Sequence, residues 1–550
     1  MPELPLPHEA LLRRVGAVAD GLGLEAYAVG GVVRDAILGR PVVDVDVMTL
    51  GAGSGVALAR AVAEALGGLT ANVYPAFGTA AVRLPAQPGE ETVVLEFVGA
   101  RRESYRADSR KPVVEDGTLA EDLARRDFTV NALAVSLNAA RFGELVDPGG
   151  GLADLAARRL RTPLDPAQTF SDDPLRMMRA ARFSAQLAFD VDEAAVEAMT
   201  AMADRIGIVS QERVTDELVK TVAAPYPARG LKLLFVTGLL EHVLPELARL
   251  AGVETVGNHR HKDNFYHTLE VLENVVATQN AAGLDGERAT GRDLWLRWAA
   301  ILHDIAKPET KRFVPGTGWT FHGHDERGAR RVPKVFRRLK LPLGEPALLV
   351  EKLVRLHHRP TALVDAEVTE SAVRRLLFDA GDDVGLLMTL VRADVTSKNP
   401  QRVRRYLAGF DRVDAKMDEV EARDQVRNFQ PPVRGEEIMA ALGVEEGLAV
   451  GLLKERLKEA ILDGEVANEH AAAWAFVQHH APDALRRGRL FDRLRRELPP
   501  ADRRALGALR EALATAPLPE DEDAAWAALM QIKTEAMANP ESRRRTDEGA

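Results

Sequence analysis

From about residue 152 almost to its end, this 550-residue chain repeats Leu, Ala and Arg at helical spacing and offers few strand candidates. Only the first 150 or so residues mix helical and alternating patterns, so the backbone is expected to divide into an α/β head and a long helical body. In the head, residues 8–22 have the apolar spacing of an amphipathic helix, and LEAYAVGG (24–31) is a short strand running into a glycine turn. VVRDAILG (32–39) returns to helical spacing and stops at Gly39 and Pro41. VVDVDVMTL (42–50) then alternates, with Val43, Val45 and Val47 on one face and Asp44 and Asp46 on the other. Further strands are expected at 81–85, 92–99 and 132–138, and the turn-rich DPGGG closes the head near residue 150. In the body, breaks are expected near Pro225 and Pro227, near Gly316 and Gly318, and near Pro431 and Pro432. PLPEDEDAAW (517–526) reads as an acidic linker or turn, and NPESRRRTDEGA as a disordered tail.

At ~100–200 residues per domain, this length corresponds to about three to five domains. Lys and Arg number 72 against 82 Asp and Glu, a net charge of −10, which excludes a generally basic nucleic-acid binder but not a local basic face. The cysteine count of 0 excludes disulfides, thiolate catalysis and Cys-based zinc sites. The first residues, MPELPLPHEALLRRV, contain no apolar signal core, and a mean hydropathy of −0.15 goes with the lack of any membrane-length apolar run. A soluble cytoplasmic protein with no membrane partner is expected; oligomeric state is not legible.

Asp44 and Asp46 have the spacing to hold one or two Mg²⁺ ions from one strand face. Just upstream, GGVVRD (30–35) supplies Gly30 and Gly31, whose backbone can approach phosphates, followed at once by a helix start. A bare D-x-D is commonly the solvent face of an edge strand. A glycine turn beside a two-carboxylate strand is instead what metal-assisted nucleotide transfer requires.

The stretch GGVVRDAILGRPVVDVDVMT resembles the first motif of the class II tRNA nucleotidyltransferase and bacterial poly(A) polymerase family. Three later motifs follow in order: DLARRDFTVNALA (122–134), SDDPLRMMRAARFSAQL (171–187) and SQERVTDEL (210–218) are similar to that family's RRDFT-x-NA, ED-x-x-R-x-x-R-A-x-RF and S-x-ER-x-x-x-E segments. Together they cover roughly the first 220 residues. The resemblance implies an α+β fold: a polymerase-β-like nucleotidyltransferase head (1–150), a helical neck for base recognition and RNA binding (151–250), and further helices beyond. It also implies that Arg34 and the glycine turn, with Arg125, Arg126, Asp127 and Asn131, surround the phosphates and sugar of the incoming nucleotide, guanidinium forks suiting triphosphate oxygens. Asp172, Asp173, Arg176, Arg179 and Arg182 are expected on one helix, with Asp173, Arg176 and Arg179 along one face. In the family, the corresponding acid and arginine read the Watson–Crick edges of CTP and ATP; Asp172 stands where the family carries Glu, one methylene longer. Glu96 is either a third carboxylate near the metals or a solvent-facing residue. RRESYRADSRKPVVEDG (101–117) corresponds to a flexible loop that accompanies addition of the terminal A in the family.

Many of the 13 histidines fall between residues 259 and 358. His259, His261 and His267, then His303 with Asp304, then His322 and His324, His357 and His358, and finally Asp394, form a set of N and O donors suited to a divalent transition metal. The pattern resembles the HD phosphohydrolase superfamily over about 255–400. That resemblance implies His267, His303, Asp304 and Asp394 as ligands, with His324 and His357 or His358 toward a second metal. Lys307 is either a phosphate-holding residue or a plain exposed lysine. A C-terminal helical region (401–535) and tail (536–550) complete the expected organisation. The basic runs 333–342, 401–410 and 485–498 offer faces for an RNA backbone or are solvated faces of helices.

The leading expectation is template-independent addition of CCA to the tRNA acceptor end from CTP and ATP with Mg²⁺. CC-only, A-only and poly(A) synthesis are variants within the same class, and an HD-type metal-dependent phosphohydrolase acting on RNA ends or nucleotides is the reading from a different class.

Overall fold

The computed structural model describes residues 6–538 except 43, 76–77, 86–91, 107–108, 257–258, 261–262, 285–287, 366–368, 398 and 425–429, and over 101–115 it describes the backbone alone. Val43, His261, the side chain of His259 and the expected tail beyond 538 therefore lie outside the described residues.

The head is built on a seven-stranded sheet of order β3-β4-β5-β2-β1-β8-β9. Its strands are β1 (Ala26–Val29), β2 (Asp44–Thr49), β3 (Ala71–Tyr74), β4 (Thr79–Arg83), β5 (Val94–Gly99), β8 (Ala134–Ser136) and β9 (Leu145–Val146). Only β2 and β5 run parallel; every other neighbouring pair is antiparallel. The expected alternation holds where it matters: Val45 and Val47 are fully buried, Asp44 is exposed and Asp46 half-buried. Helices α1 (Glu9–Gly21) and α2 (Gly31–Ile37) follow the expected helical spacing, α3 (Ser54–Ala65) adds a helix that the sequence reading did not name, and α4 (Leu119–Ala124) opens on a Thr118–Glu121 capping box. A Cβ at Gly55 would lie 2.7 Å from the Val98 carbonyl carbon, so this glycine lets α3 lie directly on β5.

Two expectations change. Residues 101–117 contain an antiparallel pair, β6 (Arg101–Arg106) and β7 (Ser109–Asp116), with a register shift between Ser104 and Arg106, where a loop was expected. Its polar composition hid a ladder made by backbone pairing. The single helix expected from Asp172 to Arg182 is two: α6 (Pro166–Asp172) ends there, Asp173 is extended at φ −141°, ψ 100°, and α7 (Leu175–Leu187) begins after Pro174. The pyrrolidine ring disfavours helical geometry at the residue before it, so Asp173 becomes a hinge between helices rather than a member of one.

Beyond α5 (Gly151–Ala156) the neck consists of α6, α7, α8 (Glu193–Ala201), α9 (Gln211–Ala223) and α10 (Pro227–Val236), with short α11 (Leu239–Val243) and α12 (Pro245–Ala248). Pro227 occupies the first turn of α10, as its fixed φ suits. Then follow α13 (Asn264–Gln279), α14 (Gly291–Leu302), α15 (Lys307–Thr310), α16 (His324–Arg338) and α17 (Glu345–Leu356), with the expected break at Gly316–Gly318 forming a small hairpin. The described residues through His358, with Leu386–Val403, make one compact unit. Arg359–Gly385 and the described residues from Arg404 onward make a second, so the stretch expected as one HD region (255–400) is divided between them.

In that second unit are α18 (Arg359–Asp365), α19 (Glu370–Ala380), α22 (Gly435–Leu442), α23 (Leu448–Asp463), α24 (His470–Glu497), α25 (Leu506–Thr515) and α26 (Glu522–Ala538); α20 (Val384–Ala393) and α21 (Pro400–Asp424) each span a boundary. Leu490, Leu494, Leu509, Leu513 and Leu529 form a core there, with Trp526 packed on it. The expected linker 517–526 is a turn only as far as Asp521, since Glu522–Trp526 already belong to α26. Among the described residues no helix is long and apolar enough to cross a membrane.

A fully buried arginine fastens the neck to α14. Arg297 donates through Nη1 to the carbonyls of Val222 (3.0 Å), Ala223 (2.9 Å) and Ala224 (2.7 Å), and through Nε to Gln279 Oε1 (2.8 Å). These carbonyls end α9, where no intrahelical donor remains. Replacing Arg297 by Met strands the Val222 and Ala224 carbonyls and the Gln279 side-chain oxygen in a buried site, while the Ala223 carbonyl keeps the Ala289 amide at 2.9 Å. Arg297→Met is expected to destabilise the protein by about 3 kcal/mol, read as a lowered denaturation midpoint in urea.

Candidate active sites in the head and the helical body

The head site starts from Gly30. Its φ of +77° with ψ −126° belongs to glycine, and a Cβ there would lie 2.7 Å from Arg126 Nη1 and 3.8 Å from Asp46 Oδ2. The missing side chain thus allows a guanidinium, a strand carboxylate and the backbone turn to converge. Around them opens a cleft of about 520 Å³ lined by Gly30, Gly31, Arg34, Asp46, Arg125, Arg126, Asp127, Asn131, Asp173, Arg176 and Arg179. Of the residues expected at the nucleotide, Asp44 and Asp172 do not line it: Asp44 is at the exposed start of β2 and Asp172 ends α6.

The cleft's cations are held by a hydrogen-bonded frame. Asn131 Oδ1 accepts from Arg34 Nη1 (2.6 Å) while its Nδ2 donates to Asp127 Oδ1 (3.0 Å). Asp127 Oδ1 also accepts from the Phe128 amide (2.8 Å), and its Oδ2 accepts from Arg179 Nε (2.7 Å). Burial works against the Asp127 charge, but Arg179, Asn131 and Arg176 outweigh it and hold the carboxyl well below the usual carboxylate range. Asp127 is therefore engaged with the protein through both oxygens. Arg34, Arg179 and Arg182 all lie over the ring of Phe183, 4.3–5.3 Å from its centroid.

Asp46 behaves in the opposite way. Burial pushes its carboxyl up to about 6; Arg126 opposes the shift, and Glu96 and Asp44 add to it. The parallel register sets Glu96 opposite Asp46 on the neighbouring strand, which brings the third carboxylate beside the pair.

Three contributors have no site role in the sequence reading, although two of them, Arg213 and Glu217, lie in the motif SQERVTDEL. Asp122, buried in α4, accepts from Arg125 Nη2 (2.6 Å) and Arg126 Nη2 (3.1 Å), a pairing its three- and four-residue spacing could have signalled. Glu217 on α9, buried, pairs with Arg182 (2.9 Å) and Arg179 (3.7 Å). Arg213, one turn earlier, lines the cleft and donates to Asp173 Oδ2 (3.3 Å).

The second site gathers residues from five places in the chain. His267 Nε2 lies 2.9 Å from Asp394 Oδ1 and 3.7 Å from Asp304 Oδ2, and His303 Nε2 lies 3.2 Å from that same Asp304 oxygen. Facing the other oxygen, Asp304 Oδ1, are His324 (3.3 Å) and His357 (3.9 Å), and His358 Nε2 is 3.0 Å from His324 Nε2. Each outward nitrogen is committed: the Nδ1–H groups of His303, His324 and His357 donate to the carbonyls of Ala300, Phe321 and Val354 at 2.7 Å, and His267 Nδ1 meets Thr396 Oγ1 at 2.8 Å. That arrangement leaves every Nε2 facing inward.

His303 and Asp304 are fully buried, yet His303 Nε2, His357 Nε2 and both Asp304 oxygens lack a well-directed hydrogen bond. Burial and the adjacent His358 and His303 drive the His357 pKa far down, while Asp304 is held well below the carboxylate range by His303 and Lys307 despite its burial. Lys307 Nζ sits 2.5 Å from Asp304 Oδ2, so this lysine belongs to the site rather than to open surface. His322 is exposed and takes no part. His267, His303, Asp304, His324, His357, His358 and Asp394 are thus brought together in one place.

The basic runs divide. Arg338 is tied to Glu246 and the Val243 carbonyl, Lys340 pairs with Glu212, and Arg487 is buried against the Leu513 and Ala516 carbonyls. Arg489, Arg495 and Arg496 line a surface hollow of about 590 Å³.

Residues 26–161 match the family model described as "Poly A polymerase head domain", 188–250 one described as "Probable RNA and SrmB- binding site of polymerase A", and 264–380 the HD domain. An A-adding tRNA nucleotidyltransferase of Deinococcus radiodurans is 36% identical over 377 residues, 66% of this chain and 80% of the relative. A multifunctional CCA protein of Ralstonia nicotianae is 31% identical over 79% of this chain and 90% of its own length. Among solved structures, the Bacillus stearothermophilus CCA-adding enzyme in complex with CTP is 25% identical, with a TM-score of 0.54 over 86% of this chain and 97% of that one. The Thermotoga maritima CCA-adding enzyme complexed with tRNA shares the fold at 19% identity and a TM-score of 0.53. A head in which the strand carboxylate of Asp46 faces a glycine turn and an arginine frame, followed by an inward-facing histidine cage, is thus accounted for by descent: the chain belongs to the tRNA nucleotidyltransferase and poly(A) polymerase family, with an HD domain in its helical body.

Proposed function

We propose that the protein adds the CCA end to tRNA without a template, using CTP and ATP, by attack of the RNA 3′-hydroxyl oxygen on the α-phosphorus and departure of pyrophosphate. The observation that carries the reading is the meeting of Asp46, Gly30 and Arg126 in one cleft with the Asn131–Asp127–Arg179 frame.

The oxygen donors Asp44 and Asp46, with Glu96 beside them, fit a hard divalent cation, because crowding and burial leave Asp46 in want of positive charge. Mg²⁺ bound there supplies a lowered pKa for the attacking hydroxyl and neutralisation of the triphosphate. Arg125 and Arg126, aimed by Asp122, grip phosphate oxygens, while the Gly30–Gly31 turn lets the backbone approach them. Arg34, Asn131, Asp127 and Arg179 fix the floor of the cleft. Asp173 accepts from the exocyclic amine of cytosine or adenine and Arg176 donates to the ring edge, which disfavours uracil and guanine, where a carbonyl replaces the amine. Asp172 ends α6 directly before Asp173. On this reading the head is 1–150, the base-reading neck 151–250, the HD region 255–400 and the C-terminal helices 401–535; a tRNA substrate assigns the enzyme to the cytoplasm. The Deinococcus relative favours A-only addition as the alternative.

The histidine cage supports a second activity, metal-dependent phosphoester hydrolysis on RNA ends or nucleotides. Its orphaned inward atoms fit transition-metal ions, with His267, His303, Asp304 and Asp394 as one ligand set and His324, His357 and His358 on the other oxygen of Asp304. Metal ions there supply a hydroxide at neutral pH, and Lys307 is positioned to hold a phosphate oxygen.

A tRNA transcript lacking CCA, given CTP and ATP with Mg²⁺, is expected to gain all three nucleotides; extension only of a CC-ended transcript, by A, would make the enzyme A-adding instead. The double substitution Asp44→Ala/Asp46→Ala should lower transfer by ~10³-fold or more, since several kcal/mol of charge stabilisation are removed.

A pH dependence follows from Asp46. Its proton and the cation compete for one carboxylate, so at limiting Mg²⁺ the rate is expected to fall as pH drops through about 6. A tenfold increase in Mg²⁺ should move that midpoint down by up to about one pH unit. A midpoint that ignores Mg²⁺ would refute this assignment.

In the HD region, His303→Ala should lose bound transition metal in elemental analysis and abolish hydrolysis, with nucleotide addition staying within about twofold of the unsubstituted protein.

A further inference from the structure

We propose that Arg213 on α9 is a positioning residue for base selection: it holds the carboxylate of Asp173 in the orientation that reads the amine of cytosine or adenine. This rests on the proposed nucleotide-adding function and adds a residue to it.

Asp173 sits where two helices meet, extended before Pro174, so no helical turn restrains its side chain. Two contacts do. Oδ1 accepts from the Leu175 amide at 3.2 Å, and Oδ2 accepts from Arg213 Nη2 at 3.3 Å. The first fixes the carboxylate to its own chain; the second fixes it to a different helix. A group that discriminates an amine from a carbonyl by one hydrogen bond must be held to within ~0.5 Å and 10–20°. A single local contact on a short, non-helical segment leaves rotation about the side chain free, and Arg213 removes that freedom.

The helix that carries Arg213 is suited to serve as the reference. Glu217, one turn on, pairs with Arg182 at 2.9 Å and Arg179 at 3.7 Å, so α9 registers α7 and the Asp173 hinge against the same rod. Lys340 is paired with Glu212 and the Thr215 hydroxyl donates to the Leu339 carbonyl at 2.6 Å, which pins that rod from its other side. Arg213 lines the cleft with Asp173 and Arg176, and the two oxygens of Asp173 have lone pairs to spare for a ligand after both contacts are made. Uracil and guanine would oppose a carbonyl oxygen to a carboxylate that cannot turn away. A fixed Asp173 rejects them, whereas a rotating one does not.

The test uses the full-length protein, a tRNA transcript ending in CC or C, and each of the four nucleoside triphosphates. Variants R213Q, R213K, D173A and D173A/R213Q are compared. The Arg213 side chain is 42% exposed, so R213Q is expected to melt within about 2 °C of the parent. R213Q should raise KM for ATP and CTP about tenfold with kcat changed less than about threefold, and should lower discrimination against UTP and GTP about tenfold. R213K should recover part of both losses. In D173A the Arg213 substitution should add less than about twofold, because a residue acting through Asp173 has nothing left to act on.

Unchanged KM and base discrimination in R213Q would overturn the proposal, as would multiplicative losses in the double variant. A melting drop of more than about 5 °C in R213Q with discrimination intact would make the pair a stabilising contact and also overturn it. If the parent protein extends no RNA with any triphosphate, the nucleotide-adding function itself fails; if it extends RNA and R213Q behaves as the parent, only the assignment of Arg213 fails.

Discussion

The carboxylate of Asp127 is the interaction on which the head site depends. It is a buried anion at the end of the RRD run, and each of its contacts reaches a different part of the fold: its own chain at Phe128, the short helical turn at Asn131, and α7 at Arg179. Through Asn131 it also reaches Arg34 and so the helix behind the glycine turn. A buried charge with this many donors is favourable only while all are present, because losing one partner leaves the desolvation cost standing. Each partner in the frame therefore matters to the others, and together they hold the lining of the cleft in one arrangement. The sheet alone does not make it: β1, β2 and β8 bring Gly30, Asp46 and the approach to Asn131 close together, and the neck helix closes the arrangement.

The histidine cage works by a different constraint. There the side chains are oriented from outside, by three backbone carbonyls and one hydroxyl that each engage an Nδ1. Fixing the outer nitrogen determines the tautomer and the ring direction, so inward lone pairs exist before any ligand arrives. The cost is visible in the unpartnered atoms of His303, Asp304 and His357, and Asp394 and Lys307 offset part of it by charge. In the head the cations are counted out and paired; in the body the bases are aimed and left open.

Much of this was legible in the sequence. The D-x-D strand, the glycine turn, the RRD segment and the histidine set all occur as local patterns, and each falls where its period or spacing indicates. What was not legible depends on pairing between distant segments. Glu96 sits beside Asp46 because β2 and β5 are parallel and in one register, which neither strand encodes by itself. The break at Asp173 was within reach, since Pro174 follows it directly; the motif's helical spacing on either side obscured a residue that must be extended. The β6–β7 pair was hidden by polar side chains, and the roles of Arg213 and Glu217 by their distance from the residues they hold. The three- and four-residue spacing of Asp122 to Arg125 and Arg126 was readable, yet it resembles any surface helix pair until its burial is seen.

Helix α9 shows why the neck tolerates so many charges in its interior. It sends Arg213 to the head cleft and pairs Glu217 with the cleft's Arg179 and Arg182, and its last carbonyls are taken by Arg297 from the helix that ends at His303. Burial lowers the pKa of Arg297 to about 10, with only Asp293 acting against that shift, which still leaves the guanidinium charged at neutral pH. The carbonyl end of a helix carries partial negative charge, so the guanidinium is met by oriented dipoles instead of a carboxylate. Arg487 repeats the solution at the end of α25. The Arg297 guanidinium reaches the three carbonyls through Nη1 and Gln279 through Nε, while its Nη2 is buried without a hydrogen-bond partner. At these two helix ends a guanidinium group takes the last carbonyls, and the same side-chain chemistry that lines the head cleft also stiffens the helix that carries Arg213.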